Sequence, residues 1–347
     1  MRIVIVGAGL AAQRCAEALR ANGHDGPITM YGAEPHAPYD RPPLSKAILA
    51  GERPELSLRP QTWHADHDVD LRTDTRVTSL DELGFDRLLI ATGANPVMIP
   101  ALAGRENVHV LRTLDDAVRL EAALAGSGHI AIVGAGLIGQ EVASSAVARG
   151  VKATLIDTVA NPFDALMGPG SGHHLRALHE QAGVELKLGR RLIGVRDDGA
   201  LHLDDASWVE PDHVLVAVGV RPATEWTPWP AGIPVDAECR TPIPNVFAAG
   251  DATGVAHWEA ASRQGTAAAR AMLGLAPRAE HPPLVWSDQH GVRIQVIGNP
   301  RGATNLKGPG PFMYERDGRI VAVVLMNDPG GLREARRLID TPIREAA

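Results

Sequence analysis

Two glycine-rich turns are the segments of this chain whose residue types and spacing could hold a dinucleotide. They are Gly7-x-Gly9-x-x-Ala12 and Gly134-x-Gly136-x-x-Gly139. Glycine lets the backbone approach a pyrophosphate closely, and the N-terminus of a following helix stabilises the phosphate charge. One such motif is weak evidence, because any tight strand-to-helix turn favours glycine. Two motifs in the same context are strong evidence for two dinucleotide sites.

An acidic residue follows each turn at about the distance needed to reach the ribose of the dinucleotide. Asp157 lies 21 residues after Gly136, and Glu34 lies 25 residues after Gly9. A carboxylate here accepts hydrogen bonds from ribose hydroxyls and repels a 2′-phosphate, so Asp157 favours NAD over NADP. No lysine or arginine occurs in residues 158–175 to bind such a phosphate. The alternatives are that Asp157 caps a helix or a turn and that Glu34 is a solvated loop acid.

The two turns belong to a repeated segment. Residues 3–23 and 130–150 are identical at 11 of 21 aligned positions. Each copy starts with a short β-branched run, typical of a buried parallel strand, and continues through the turn into an alanine-rich helix that ends at a glycine. Second strands are expected at 28–31 and 153–156. Each copy therefore predicts the βαβ opening of a doubly wound sheet.

The rest of the chain predicts further strands, and its C-terminal part has a different residue pattern. Strand-like runs end near Gly93, Gly219 and Gly250. Alternating apolar and polar residues at 292–297 and 320–325 predict an antiparallel sheet, and a basic helix is expected at 331–339. We therefore predict an α/β protein with two Rossmann-like domains and a C-terminal α/β domain.

Composition excludes several function classes. Of 347 residues, 45% are apolar, which is enough to build cores and rules out a disordered chain. The 34 basic and 41 acidic residues give a net charge of -7, which argues against binding of nucleic acid or anionic membranes. No run approaches the 18 apolar residues of a membrane span. The apolar start is too short for a secretory signal, so we expect a buried strand there.

The cysteines are too few for a disulfide framework. Cys15 and Cys239 are far apart in sequence and form no CxxC pair, so both are expected to be structural in a reducing cytoplasm. No Cys or His cluster has metal-ligand spacing, and the adjacent His173 and His174 are typical of a solvated helix start. We therefore expect no metal site and no iron–sulfur centre in this chain.

Two dinucleotide sites in one chain imply two cofactors. A nicotinamide and a flavin are the natural pair, because a hydride can pass from one ring to the other. Without a cysteine relay beside the flavin, electrons must leave it directly for an external acceptor.

Seven short segments together resemble the FAD-dependent NADH:ferredoxin reductases of oxygenase systems, such as the rubredoxin and putidaredoxin reductases. The apoptosis-inducing factors are relatives of this family. The segments are residues 39–46, 88–93, 111–113, 134–141, 249–251, 257–258 and 286–289. The resemblance runs through almost the whole chain. It implies a glutathione reductase-like arrangement, with an FAD-binding domain at 1–106 and 231–278, an NAD-binding domain at 107–230 and a C-terminal domain at 279–347.

The resemblance also implies which residues bind FAD. The pyrophosphate would be faced by Gly7, Gly9 and Ala12 and held by Arg41 and Arg112. Val77 would contact the adenine, Glu34 the adenosine ribose, and Asp251, after Gly250, the ribityl chain. The flavin ring would be contacted by Lys46, Trp258 and Trp286, and the same site would be lined by Ala91, Thr92 and Gly93. Without the resemblance, Lys46 could be a surface lysine, Arg41 part of a rigid loop, Asp251 a helix cap and Trp286 a core aromatic.

On the NAD side, the resemblance implies that Gly134, Gly136, Gly139, Asp157 and Gly219 bind NADH. Glu141 would pair with Lys46 near flavin N5 and contact the nicotinamide carboxamide, so this pair is the predicted catalytic centre. The chain departs from the family pattern at Ala33, which leaves the adenosine ribose to Glu34. It also departs at Asn161, Ala165 and Ala256, where two arginines and an acid are usual.

The family implies a small iron–sulfur protein, a ferredoxin or rubredoxin, as electron acceptor. Arg333, Arg336 and Arg337 would share one helix face that could steer an acidic partner, although a solvated helix is the plainer interpretation. Two other functions remain open: an NADH oxidase or quinone reductase, and a redox-sensing interaction protein like the apoptosis-inducing factors. The sequence leaves the oligomeric state and the identity of the partner open.

Overall fold

The computed structural model describes residues 1–80, 83–255, 257–277, 281–306 and 311–343. The chain divides into two compact units. The first contains Met1–Arg41, Glu55–Asn95 and Val220–Glu280, and the second contains Pro42–Pro54, Pro96–Gly219 and His281–Ala347. In the described part of the chain, no helix is long and apolar enough to cross a membrane.

A five-stranded parallel sheet forms the centre of the first unit. In spatial order its strands are Val246–Ala248, Arg87–Ile90, Ile3–Val6, Ile28–Tyr31 and Val69–Arg72. The other elements are the helices Leu10–Ala21, Trp63–Asp66 and Trp258–Met272, the 3-10 turn Gly250–Thr253, and the short strands Ala94–Pro96 and Val220–Pro222. The first strand lies at the centre of the sheet, as in other doubly wound sheets.

Helices Leu10–Ala21 and Trp258–Met272 pack closely against each other. A Cβ atom at Gly265 would lie 2.1 Å from the carbonyl oxygen of Ala11, so only glycine permits this approach. Cys15 and Cys239 are both buried in the core beside this helix pair. The structural role predicted for the two cysteines fits this position, and two residues far apart in sequence thus share one core.

The second unit contains the second parallel sheet. Its strands, in spatial order, are Val108–His109, His213–Val216, His129–Val133, Lys152–Asp157 and Glu185–Leu188. A smaller antiparallel sheet consists of Leu192–Val195, Leu201–Leu203 and Trp208–Val209. The helices are Leu114–Ala125, Leu137–Ala148, Asp164–Met167 and Gly172–Gln181, with 3-10 turns at Pro42–Ser45 and Pro100–Leu102. His173 and His174 are exposed at the start of their helix, as predicted.

A third sheet in the second unit is antiparallel, as the alternating pattern predicted. Its strands, in spatial order, are Leu284–Gln289, Val292–Gly298, Arg319–Met326, Phe312–Arg316 and Thr304–Leu306, and the helix Leu332–Leu338 follows. The buried hydroxyl of Tyr314 donates to the carbonyl of Met167 at 2.6 Å. This sheet therefore shares a core with the second parallel sheet.

The α/β fold class with two Rossmann-like sheets is confirmed. Both repeated helices, Leu10–Ala21 and Leu137–Ala148, end two residues before the predicted glycine. Gly23 at φ +84° and Gly150 at φ +78° are in the left-handed conformation. The three-domain division remains a prediction, and its last boundary, at 278–279, lies outside the described residues.

Candidate active site

The first glycine turn joins strand Ile3–Val6 to helix Leu10–Ala21. Gly7 has φ +115°, and a Cβ atom there would lie 2.1 Å from the carbonyl oxygen of Ala91. Gly9 caps the helix N-terminus, and no atom lies within 4 Å of the position of its Cβ. The backbone is therefore pressed against the sheet at one glycine and open at the next, as a pyrophosphate cradle requires.

Arg41 lies in a polar cluster near this turn. Its guanidinium pairs with Glu34 at 2.7 Å, and Tyr39 donates its hydroxyl hydrogen to the same carboxylate at 2.6 Å. Burial by itself would lower the pKa of Arg41, but the neighbouring Tyr39, Glu34 and Asp251 raise it. Glu34 is thus held by Arg41 and Tyr39 and is not a freely solvated acid.

Asp251 does not cap a helix. It lies inside the 3-10 turn Gly250–Thr253, whereas His257 caps the following helix by accepting from the backbone N–H of Glu259. The side chain of Gln264 accepts from the N–H of Gly250 at 2.8 Å and so fixes this turn from the neighbouring helix. The sequence offered no signal for Gln264, because the contact joins residues 14 positions apart.

Trp258 is tied to the segment before Arg41. Its indole N–H donates to Asp40 Oδ1 at 2.6 Å. Because Trp258 begins its helix, this bond fixes the helix start against residues 39–41. The predicted neighbour Ala256 lies outside the described residues.

The other predicted residues of the first unit lie around the end of the central strands. Val77 is half-buried and packs against the core, Ala91 donates its N–H to the carbonyl of Val6, and the hydroxyl of Thr92 donates to the carbonyl of Ala223. Gly93 has φ +73°. These contacts hold the strand end beside the first glycine turn.

The second glycine turn, before helix Leu137–Ala148, repeats this geometry. A Cβ atom at Gly134 would lie 2.3 Å from the carbonyl oxygen of Ala217, and one at Gly139 would lie 2.0 Å from that of Gly134. Gly136 is open, with no atom within 4 Å of its Cβ position. Gly219, at φ +110°, follows the strand that lies beside this turn. Both turns fit the pyrophosphate of a dinucleotide.

Asp157 lies against the second turn. Its carboxylate accepts from the backbone N–H of Ala135 and of Val159, each at 2.7 Å. A basic residue is also near: Arg190 donates its backbone N–H to the carbonyl of Asp157, while its guanidinium pairs with Asp205 at 2.9 Å. Residues 158–175 contain no basic residue, but Arg190, which follows the adjacent strand Glu185–Leu188, still comes close to Asp157 in the folded chain.

Lys46 and Glu141 form the predicted ion pair, with Lys46 Nζ 2.7 Å from Glu141 Oε2. Glu141 is only 2% exposed, so its charge requires compensating donors. The hydroxyl of Ser45 donates to Oε2, and the hydroxyl of Ser287 donates to Oε1 at 2.7 Å. Sequence reasoning assigned no role to these two serines. Among the described residues Lys46 also donates to the carbonyl of Pro42, which leaves its third N–H available to a ligand.

Trp286 and Arg112 were also predicted to lie at the site. Trp286 is half-buried and precedes Ser287 in the same strand, so the two side chains lie on opposite faces of the sheet. Arg112 donates its backbone N–H to Asp116 Oδ2 at 3.1 Å, just before helix Leu114–Ala125.

The thiols cannot act as a relay at ordinary pH. Burial raises the pKa of Cys239 to about 12, and burial together with the nearby Cys239 raises the pKa of Cys15. Both are free cysteines and remain protonated, so neither supplies the thiolate that a disulfide relay needs.

Comparisons with known proteins agree with this geometry. A family model for the pyridine nucleotide-disulphide oxidoreductases matches residues 1–265, and a model described as the reductase C-terminal domain matches residues 284–347.

Individual relatives match along nearly their full length. The ferredoxin–NAD(+) reductase component of the p-cumate 2,3-dioxygenase system from Pseudomonas putida is 32% identical over 97% of this chain and 93% of its own. The corresponding component of the biphenyl dioxygenase system from Paraburkholderia xenovorans is 34% identical over 99% and 94%. Putidaredoxin reductase, solved in covalent complex with putidaredoxin, has a TM-score of 0.91 at 28% identity, covering 98% of this chain and 93% of its own.

Proposed function

This chain belongs to the ferredoxin–NAD(+) reductases of the pyridine nucleotide-disulphide oxidoreductase family, and from that premise we propose that it passes electrons from NADH through FAD to a small iron–sulfur protein. The acceptor is a [2Fe–2S] ferredoxin or a rubredoxin that supplies an oxygenase. The observation that carries the proposal is the buried ion pair of Lys46 and Glu141 in a chain with two dinucleotide cradles.

When bound, FAD supplies the chemistry, because its ring accepts a hydride from NADH and releases electrons one at a time. The residues predicted to bind FAD would hold it. We assign the pyrophosphate to the first glycine turn and the ribityl chain to the turn at Asp251, with Arg41 supplying positive charge. Glu34, Val77, Arg112 and Trp258 complete the predicted contacts. The open helix N-terminus at Gly9 supports the assignment of the pyrophosphate.

We assign NADH to the second glycine turn. Gly136 leaves room for the pyrophosphate, and Asp157 would accept from the adenosine ribose while it stays fixed by Ala135. A 2′-phosphate placed there would meet this carboxylate, which supports a preference for NADH. Gly219 would allow the backbone to approach the same cofactor.

Lys46 and Glu141 are the proposed catalytic residues. Glu141 would orient the nicotinamide carboxamide, and Lys46 would point its free N–H toward the flavin ring, where donors stabilise the charge that arrives with the hydride. The pair does this without adding net charge. No proton must be removed for hydride transfer, so the work of these residues is placement. We place Trp286 beside the flavin ring.

The partner and location follow from the same proposal. An acidic iron–sulfur protein would be steered by Arg333, Arg336 and Arg337 on helix Leu332–Leu338, where all three are exposed. The two buried free thiols suit a reducing cytoplasm. We keep the three-domain division as part of the proposal.

A stopped-flow experiment tests the function. The FAD-loaded protein is reduced with NADH and then mixed with a [2Fe–2S] ferredoxin, with rubredoxin or with air-saturated buffer. Rapid reoxidation by an iron–sulfur protein and slow reoxidation by air are expected. Fast reoxidation by air alone would instead support an NADH oxidase, and a protein without turnover toward ferricyanide or an iron–sulfur protein would contradict a reductase.

A further inference from the structure

The carboxylate of Glu141 accepts hydrogen bonds in addition to its ion pair with Lys46. A carboxylate at 2% exposure must be hydrogen-bonded as well as paired, because each unsatisfied lone pair would cost free energy. Glu141 Oε2 pairs with Lys46 and accepts a hydrogen bond from Ser45, and Oε1 accepts a hydrogen bond from Ser287. The Oε1 side leads into a buried chain of polar side chains that the proposed reaction does not use.

That chain runs through three further contacts. Gln289 Nε2 lies 2.9 Å from Ser287 Oγ, and Gln289 Oε1 lies 3.0 Å from His179 Nε2. His179 Nδ1 lies 2.9 Å from His290 Nε2. Ser287, Gln289 and His179 are each at most 1% exposed, so water does not substitute for these contacts.

The charge on Glu141 fixes the direction of every bond in the chain. A carboxylate can only accept, so Ser287 must donate to it and must therefore accept from Gln289 Nε2. Gln289 Oε1 then has to accept from His179, which requires a proton on Nε2 and leaves Nδ1 to accept from His290. This polarity follows from the carboxylate of Glu141 alone, whichever way the oxygen and nitrogen of the Gln289 amide are assigned.

A branch of the chain reaches the second glycine turn. Gln289 Nε2 also donates to Gln140 Oε1 at 3.2 Å, and Gln140 Nε2 donates to the carbonyl of Ala135 at 2.7 Å. The N–H of Ala135 donates to Asp157. One buried amide, Gln289, is thus connected both to the carboxylate of Glu141 and to the peptide that would face the pyrophosphate.

We propose that Ser287, Gln289 and His179 are positioning residues that hold the carboxylate of Glu141 in one orientation through this one-directional hydrogen-bond chain. The inference rests on the proposed function, in which Glu141 orients the nicotinamide. It predicts that neutral His179 carries its proton on Nε2. Burial, with a smaller effect of His290, lowers the pKa of His179 to about 4, so the imidazole stays neutral at pH 7.

The first test reads the tautomer directly and needs no NADH. Imidazole nitrogen shifts of ¹⁵N-histidine-labelled holoprotein, assigned with His179→Gln, should show His179 protonated at Nε2 and bare at Nδ1 from pH 8 to pH 6. A proton on Nδ1, or a doubly protonated ring at pH 7, would overturn the chain because the bond to Gln289 or to His290 would then run the other way.

The second test compares the limiting rate of flavin reduction by NADH. Ser287→Ala removes the donor to Oε1, and Gln289→Glu keeps the shape of the side chain but cannot donate to Ser287. Each should slow reduction about tenfold, since a hydrogen bond to a charged group is lost or weakened. Ser287→Thr, which keeps the hydroxyl, should stay within about twofold of the wild type.

Ser171→Ala is the matched control. Ser171 is equally buried, accepts from Asn305 and is also hydrogen-bonded to the Tyr314 hydroxyl, but its side chain forms no hydrogen bond with any member of the chain. Equal slowing in this variant, or unchanged rates in both Ser287→Ala and Gln289→Glu, overturns the proposal. A wild-type protein that NADH does not reduce contradicts the proposed function instead, and the tautomer measurement still decides on the chain.

Discussion

Glu141 and Asp157 show how a single carboxylate acquires a defined orientation. Glu141 is buried, pairs with Lys46 and accepts hydrogen bonds from Ser45 and Ser287. Asp157 lies at a strand end and accepts hydrogen bonds from two backbone N–H groups. Each carboxylate is held by donors that are already in place. At the residue scale, the proposed function would therefore make selectivity and rate depend on carboxylates that the protein already holds in place.

Asp157→Ala should raise the dissociation constant for NADH by about ten- to a hundredfold and change that for NADPH far less. The ribose hydroxyls lose their charged acceptor, while a 2′-phosphate loses a repulsive neighbour and has Arg190 nearby. Stopped-flow reduction of the oxidised flavin at increasing concentrations of each nucleotide measures both constants, from the concentration at which the observed rate is half its limiting value.

Asp198→Ala is the control for this measurement, because Asp198 is an exposed carboxylate of the same unit that pairs with Arg196. It should leave both dissociation constants unchanged. If Asp157→Ala weakened the binding of NADH and NADPH equally, Asp157 would support the turn and would not bind the ribose hydroxyls.

The buried thiols should be unreactive in the native protein. Because burial raises the pKa of Cys239 to about 12, nearly all of this thiol is neutral at pH 8, and the pKa of Cys15 is raised as well. An aromatic disulfide reagent at pH 8 should label neither cysteine until the protein is denatured, when it should label both. Rapid labelling before denaturation would contradict the structural role of the pair.

Each repeated βαβ element uses its glycines for two different purposes. One glycine, Gly7 or Gly134, lets the chain turn against a neighbouring strand, and the next, Gly9 or Gly136, leaves open space at the helix N-terminus. Packing at the first and binding at the second can therefore be separated by substitution. At the element scale, the same motif thus meets a folding requirement and, in the proposed function, supplies a ligand site.

Gly9→Asp should yield folded protein without flavin. The new side chain has room, since no atom lies within 4 Å of the Cβ position, but its charge repels a pyrophosphate at the helix N-terminus. Absorbance near the flavin bands and the thermal midpoint of the apoprotein are the two measurements. The expected result is loss of the yellow colour with little change in the apoprotein midpoint.

Gly7→Ala is the opposing variant. Its Cβ would lie 2.1 Å from the carbonyl oxygen of Ala91 at φ +115°, so a lowered thermal midpoint is expected even without flavin. If Gly9→Asp kept its flavin, or if Gly7→Ala were as stable as the wild type, the division of work between the two glycines would be wrong.

Charge is distributed unevenly over the whole molecule. From residue 279 onward there are 9 basic and 8 acidic residues, so this part has a net charge of +1 and residues 1–278 carry -8. Within the positive part, helix Leu332–Leu338 presents Arg333, Arg336 and Arg337 to solvent. An acidic carrier would be attracted to this helix over distances longer than a contact, and salt would weaken that attraction.

The double variant Arg336→Glu and Arg337→Glu should slow the reduction of an acidic ferredoxin about tenfold at low ionic strength. Turnover with ferricyanide should stay within about twofold, and the salt dependence of ferredoxin reduction should flatten. Arg196→Glu with Arg240→Glu changes the charge equally at exposed positions elsewhere. If the rates with ferredoxin and ferricyanide fell equally, or if both double variants slowed ferredoxin reduction equally, the steering hypothesis would be wrong.

Much of the architecture could be predicted from local patterns. The repeated turns gave two parallel sheets, alternation gave the C-terminal antiparallel sheet, and the segment 331–339 gave helix Leu332–Leu338. The reason is that strand period, glycine turns and helix ends are each specified within about twenty neighbouring residues. The ion pair of Lys46 and Glu141 came from the family resemblance, since nothing in local spacing joins residues 95 positions apart.

The sequence by itself determined the two glycine-rich turns, the acidic residues that follow them and the presence of only two cysteines, far apart along the chain. Only the tertiary structure decided that Ser45 and Ser287 meet at Glu141, that Arg190 lies beside Asp157 and that Gly265 admits a close helix pair. These contacts join chain segments far apart in sequence. Their partners are selected by how strands and helices pack, and that packing leaves no periodic signal in the residues themselves.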